Sequence, residues 1–161
     1  MTDNFTRATF GTISSGTMLP EDLIPAFSLH LSFIIFLGGS LKDLDHGTPE
    51  EKKLLTECHE IEDYDTETAS YVLAELFEAL DSHAPQYGYF GAHPGDGADY
   101  GFWLSDDTPQ YVKDVGGFVG DELPDIPSDS GEALVINDHG NATLYGWNDR
   151  TKNWFEVWAI V

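Results

Sequence analysis

Apolar residues along the chain follow three successive patterns. Ala8 to Ile13, rich in Thr, Phe and Ile, reads as a first strand, closed by a turn at Ser14-Ser15-Gly16. Pro20-Glu21-Asp22 then has the form of a helix start, with proline in the first turn and acids at the positive end of the dipole. Leu23, Phe27, Leu31 and Ile34 make one helical stripe, and Leu29, Phe33 and Phe36 make a second. Apolar stripes on two faces predict a central helix, ended by Gly38-Gly39. Thr48-Pro49-Glu50-Glu51 predicts the start of a second helix that runs to about Ile61. Ala69, Val72, Leu73, Leu76, Phe77 and Leu80 predict a third, from near Asp65 to about Ser82, stopped by Pro85.

Beyond Pro85 the period shortens to two. Tyr87 to Ala92 and Tyr100 to Leu104 read as strands around a Gly-rich turn. Asp121 to Glu132 (DELPDIPSDSGE) is an acidic loop with two prolines. Ala133 to Ile136, Ala142 to Trp147 and Trp154 to Ile160 read as a β-meander, turning at Asp138-His139-Gly140-Asn141 and Asn148-Asp149-Arg150. In the last strand, alternation sets Trp154, Glu156, Trp158 and Ile160 on one face and Phe155, Val157, Ala159 and Val161 on the other. With both faces apolar, that strand is expected to be central. The order of strand, helices, then strands predicts an α+β fold, with helices on a mostly antiparallel sheet and a C-terminal meander. The length of 161 residues suggests one domain, 1–161.

Charge changes the picture more than any motif does. The chain carries 29 acidic and 7 basic residues, a formal net charge of -22. Between Lys53 and Arg150 the one basic residue is Lys113. Such a surface repels nucleic acid and anionic membranes, attracts basic proteins and steers their encounter. The most apolar stretch, Leu23 to Leu37, is shorter than the ~18 residues of a membrane span. The opening Met-Thr-Asp-Asn-Phe-Thr-Arg lacks the layout of a signal peptide. A single cysteine, Cys58, allows no disulfide within the chain and no cysteine metal cluster. Its neighbour His59 points elsewhere on a helix, so the expectation is an ordinary thiol. These features suit a reducing, cytoplasmic setting.

Candidate chemistry is sparse. His93-Pro94-Gly95-Asp96-Gly97-Ala98-Asp99 offers an imidazole and two carboxylates, so His93, Asp96 and Asp99 are the candidates for a divalent cation or acid–base work. The spacing matches no zinc or EF-hand pattern, and a plain hairpin loop with Asp96 capping the turn is the stronger expectation. Asp43, Asp45 and His46 match no ligand set either. His139 reads as a polar turn residue and His30 as a satisfied buried histidine. No nucleotide-binding glycine loop, P-loop or nucleophile elbow is present. No cofactor and no catalytic residue are assigned. Trp147, Trp154 and Trp158 are expected in the core; aromatics stacking bases would need a basic groove, which this chain lacks.

What remains is the carboxylate array. On the third helix Glu67, Glu75, Glu78 and Asp81 span about 21 Å at 1.5 Å per residue. Glu57, Glu60, Glu62 and Asp63 precede them, and Asp121, Glu122, Asp125 and Asp129 lie on the acidic loop. A duplex presents one charge per ~1.7 Å of axis, a pattern that rows of carboxylates on a rigid surface imitate coarsely.

Tyr89 to Trp103 (YFGAHPGDGADYGFW), Asn137-Asp138-His139-Gly140-Asn141 and Gly11 to Thr17 with Pro20 to Pro25 resemble segments of short uncharacterised acidic proteins carried by phages and plasmids. The similarity covers about a quarter of the chain. It implies a mobile-element setting, in a host's cytoplasm, where small acidic proteins are often anti-CRISPR or anti-restriction inhibitors. The expected function is an acidic, nucleic-acid-mimicking inhibitor of a defence nuclease or CRISPR effector, its partner a basic nucleic-acid-binding protein. Three alternatives stay open: an immunity protein for a basic nuclease toxin, a metal-dependent enzyme built on His93, Asp96 and Asp99, and a halophile's acidic housekeeping domain.

Overall fold

The computed structural model of the chain describes residues 8–36 and 47–161. The expected helix stop at Gly38-Gly39 and the Asp43, Asp45 and His46 group lie outside these residues. The architecture is α+β, as the element order predicts, with four helices and two sheets among the described residues. Contacts gather into two compact units, Met1–Leu104 and Ser105–Val161.

In the first unit, strand β1 (Gly11–Ser15) is followed by helices α1 (Pro20–Phe36), α2 (Pro49–Glu60) and α3 (Glu67–Ser82) and strands β2 (Gly88–His93) and β3 (Asp96–Leu104). The sheet is antiparallel, in the order β1-β3-β2. The predicted turn at Ser14-Ser15 is part of β1, and the chain turns at Gly16, whose φ of +80° favours glycine. Helices α1 and α3 pack on each other and on the sheet around Phe27, which meets Phe77, Phe90 and Tyr100 edge-on at centroid distances of 5.2, 5.0 and 5.8 Å. Such pairs add about 0.5–1.5 kcal/mol each beyond the area they bury.

The first α1 stripe, Leu23, Phe27, Leu31 and Ile34, is buried as expected. The second is not. Leu29 is 71% exposed and Phe33 53%, so α1 is amphipathic rather than central. With Ile13 and His30 these two side chains line a cavity of about 590 Å³.

The second unit holds helix α4 (Thr108–Asp114), then strands β4 (Phe118–Gly120), β5 (Glu132–Ile136), β6 (Ala142–Asn148) and β7 (Asn153–Ile160), in the order β4-β5-β6-β7. The predicted meander β5-β6-β7 is antiparallel, while β4 pairs with β5 in parallel. Neither α4 nor β4 is apparent from periodicity, since each is too short to show one. Among the described residues β7 ends the sheet; it is not the central strand its apolar composition suggested.

The two-face assignment of β7 also changes. Leu144 pairs with Trp158 and Tyr145 with Glu156, so Val157 is an extra residue in a bulge. Adjacent Leu144 and Tyr145 point to opposite faces, and Trp158 therefore lies opposite Glu156 and Trp154. Trp158 is buried, while Trp147 and Trp154 pack on the other face, edge-to-face at 5.2 Å.

Candidate protein interface

The helices that carry the acidic residues are fixed at their ends by local chemistry. Thr48 and Glu51 form a reciprocal capping box: the Glu51 N–H donates to Thr48 Oγ1 at 3.1 Å, and the Thr48 N–H donates to Glu51 Oε2 at 2.8 Å. Thr66 caps α3 by accepting from the Ala69 N–H at 3.1 Å. Between these helices, Asp63 Oδ1 accepts from the Asp65 N–H at 3.0 Å and folds the linker into a tight corner.

The α3 core stripe of Ala69, Val72, Leu76 and Leu80 is buried. At 100° per residue, Glu67, Glu75, Glu78 and Asp81 fall on the opposite side of the helix. Glu67, Glu78 and Asp81 are exposed and Glu75 is half-buried. Glu60, Glu62 and Asp63 are exposed at the α2–α3 corner.

Besides Asp63, three of the predicted carboxylates are already engaged. Glu57 binds Lys53 at 3.1 Å. The hydrogen bond to Glu57, with the nearby Tyr71 and Glu75, holds the Lys53 ammonium above its ordinary pKa, so this lysine also offsets Glu75. Asp81 Oδ1 accepts the Phe90 N–H at 2.8 Å, a tie between α3 and β2. The predicted carboxylates of this unit that stay exposed outside the Lys53 pair and the Phe90 tie are Glu60, Glu62, Asp63, Glu67 and Glu78; Glu21, Asp22, Glu50 and Asp96 of the same unit are exposed as well. Asp65, outside the predicted set, is exposed in the same corner.

Asp121, Glu122, Asp125 and Asp129 are exposed on the 121–131 loop of the second unit. The loop is held rather than slack. Trp154 Nε1–H donates to the Pro124 carbonyl at 2.8 Å, the Trp147 N–H donates to the Gly131 carbonyl at 2.8 Å, and Ser128 Oγ donates to the Glu132 carbonyl at 2.6 Å.

The His93–Asp99 segment is a hairpin whose groups serve the turn. His93 Nδ1 accepts from the Gly95 N–H at 3.0 Å and Asp96 Oδ1 from the Ala98 N–H at 3.0 Å. Asp99 Oδ2 accepts from Thr12 Oγ1 at 3.2 Å. Asp99 Oδ1 is buried and has no hydrogen-bond partner among the described residues. The His93 ring stands edge-on to Trp103, whose Nε1–H donates to the Gly91 carbonyl at 2.9 Å. Among the described residues no three His, Cys, Asp or Glu side chains gather as a metal site.

His139 sits in its predicted turn, where Asn137 Oδ1 accepts its N–H at 2.9 Å. His30 is partly buried beside Phe33 and Phe102, and desolvation lowers its pKa from 6.5. Cys58 is a buried core thiol, pushed up to about 11 chiefly by desolvation. No described helix is long and apolar enough to cross a membrane. Comparison of the chain with protein-family models, curated proteins and solved structures finds no match.

Proposed function

We propose that this protein is an acidic inhibitor that occupies the cationic, nucleic-acid-binding groove of a defence nuclease or CRISPR effector. The observation that carries this reading is the α2–α3 corner. There Glu60, Glu62, Asp63 and Glu67 are exposed within eight residues, and Glu78 extends the row along α3. The Thr66 cap and the Asp63–Asp65 turn hold the corner's backbone in place, so little backbone ordering entropy opposes binding. From Glu67 to Glu78 the row runs about 16 Å along the helix axis, comparable to several phosphate spacings of a duplex. The partner's arginines and lysines would meet carboxylates in place of phosphates, with no scissile bond between them. The groups act by charge and position, and no covalent step is required.

The test is cleavage of a labelled duplex by purified restriction nucleases and CRISPR effectors, with this protein titrated in. Inhibition of at least one enzyme, relieved by excess uncleavable duplex and weakened by added salt, is the expected result. Inhibition that excess duplex leaves unchanged, or none across the panel, refutes the reading.

A further inference from the structure

We propose that the Asn153–Val157 half of β7, together with the tethered 121–131 loop, is a docking edge for an extended partner segment in which basic and apolar residues alternate. Among the described residues the one strand beside β7 is β6. This half of the strand has no proline or lysine, the residues that commonly guard an exposed edge. The Val157 bulge marks where the platform ends.

The two faces of this edge differ in chemistry. On one, Phe155 is 49% exposed, and its ring covers the space where a Gly146 side chain would stand. On the other lie Glu156, which is exposed, and Trp154. The Trp154 indole holds the Pro124 carbonyl at 2.8 Å and so brings the acidic loop to the strand. Asp121, Glu122 and Asp125 are exposed around that anchor, and Ile126, next along the loop, is 75% exposed.

An added strand sends alternate side chains to opposite faces. Here one set would pack on Phe155 while the other met Glu156 and the loop carboxylates. Charge decides the occupant. The second unit has 11 acidic and 3 basic residues between Ser105 and Val161, so a second copy would set like charges against each other, whereas a lysine- or arginine-bearing strand is complementary. This edge belongs to the second unit and the α2–α3 carboxylates to the first, and its occupancy does not depend on the inhibitor reading.

The test uses the full chain and two short peptides of equal composition, one alternating lysine and valine and one with the same residues shuffled. Binding is read by tryptophan fluorescence, and amide hydrogen exchange of β7 is followed by NMR. The alternating peptide is expected to bind about tenfold more tightly, the scale of a few cross-strand pairs, and to protect amides within Asn153–Val157. The variant D121N/E122Q/D125N should lower its affinity and flatten its salt dependence. Equal binding of the shuffled peptide, unchanged β7 exchange, no binding, or a chain that self-associates through β7 would each overturn the proposal. The cleavage assay above involves neither peptide, so the two ideas fail separately.

Discussion

Glu51 Oε1 lies 2.6 Å from His83 Nε2, and through that contact the start of α2 is fastened to the end of α3. The other oxygen of Glu51 already accepts the Thr48 N–H, so one buried carboxylate serves a helix cap and a tie between two helices. Replacing it removes both. Glu51→Ala should destabilise the protein by about 2–3 kcal/mol and Thr48→Ala by about 1 kcal/mol, measured by urea unfolding followed by circular dichroism. Equal losses for the two variants would mean that the His83 contact contributes nothing.

Gly101 is required where β1 crosses β3. A Cβ at that position would stand 2.0 Å from the Gly11 carbonyl oxygen, whereas a Cβ on Gly97, in the same strand, meets nothing within 4 Å. Gly101→Ala should cost about 3 kcal/mol or more, and Gly97→Ala less than about 0.5 kcal/mol, by the same unfolding measurement.

The buried Cys58 thiol has its pKa raised from 9.0 to about 11, so at neutral pH its thiolate fraction is about a hundredfold below that of an ordinary thiol. Labelling by a disulfide reagent should be slow in the native protein and rapid in denaturant. Fast native labelling would contradict the burial.

For His30 the folded pKa lies below the unfolded value, because burial opposes the charge. The unfolded chain therefore binds more protons as pH falls, and stability drops below about pH 6.5 while above it the contribution is complete. His30→Gln should unfold with a shallower pH dependence between pH 5 and 7 than the wild type. A parallel pair of stability–pH curves would show that His30 does not contribute to the slope.

The helices were legible because their signals are local and redundant. Thr48-Pro49 with Glu51 three residues after the cap announces α2, and the α3 stripe of Ala69, Val72, Leu76 and Leu80 runs over about three turns. Other features depend on long-range partners. The bulge at Val157 inverts the faces of β7, and nothing in Trp154 to Ile160 itself announces it. Asp81 has the same exposed helical spacing as Glu78, yet it is bonded to the Phe90 N–H nine residues away. Helix α4 left a trace in Asp107-Thr108-Pro109, a helix-start signature followed by too few residues to display a period. Leu29 and Phe33 look like core residues because composition records that they are apolar and not what stands opposite them.

Inhibition of this kind depends most on whether the α2–α3 carboxylates form the gripping face. The direct measurement is the affinity of a nuclease inhibited in the cleavage assay for the wild type and for E60Q/E62Q/D63N/E67Q/E78Q, each at low and physiological salt. The account predicts that neutralisation weakens binding at low salt by at least about tenfold, removes most of the salt dependence and leaves the circular dichroism spectrum unchanged. A folded variant that binds as tightly as the wild type, with the same salt dependence, would contradict it.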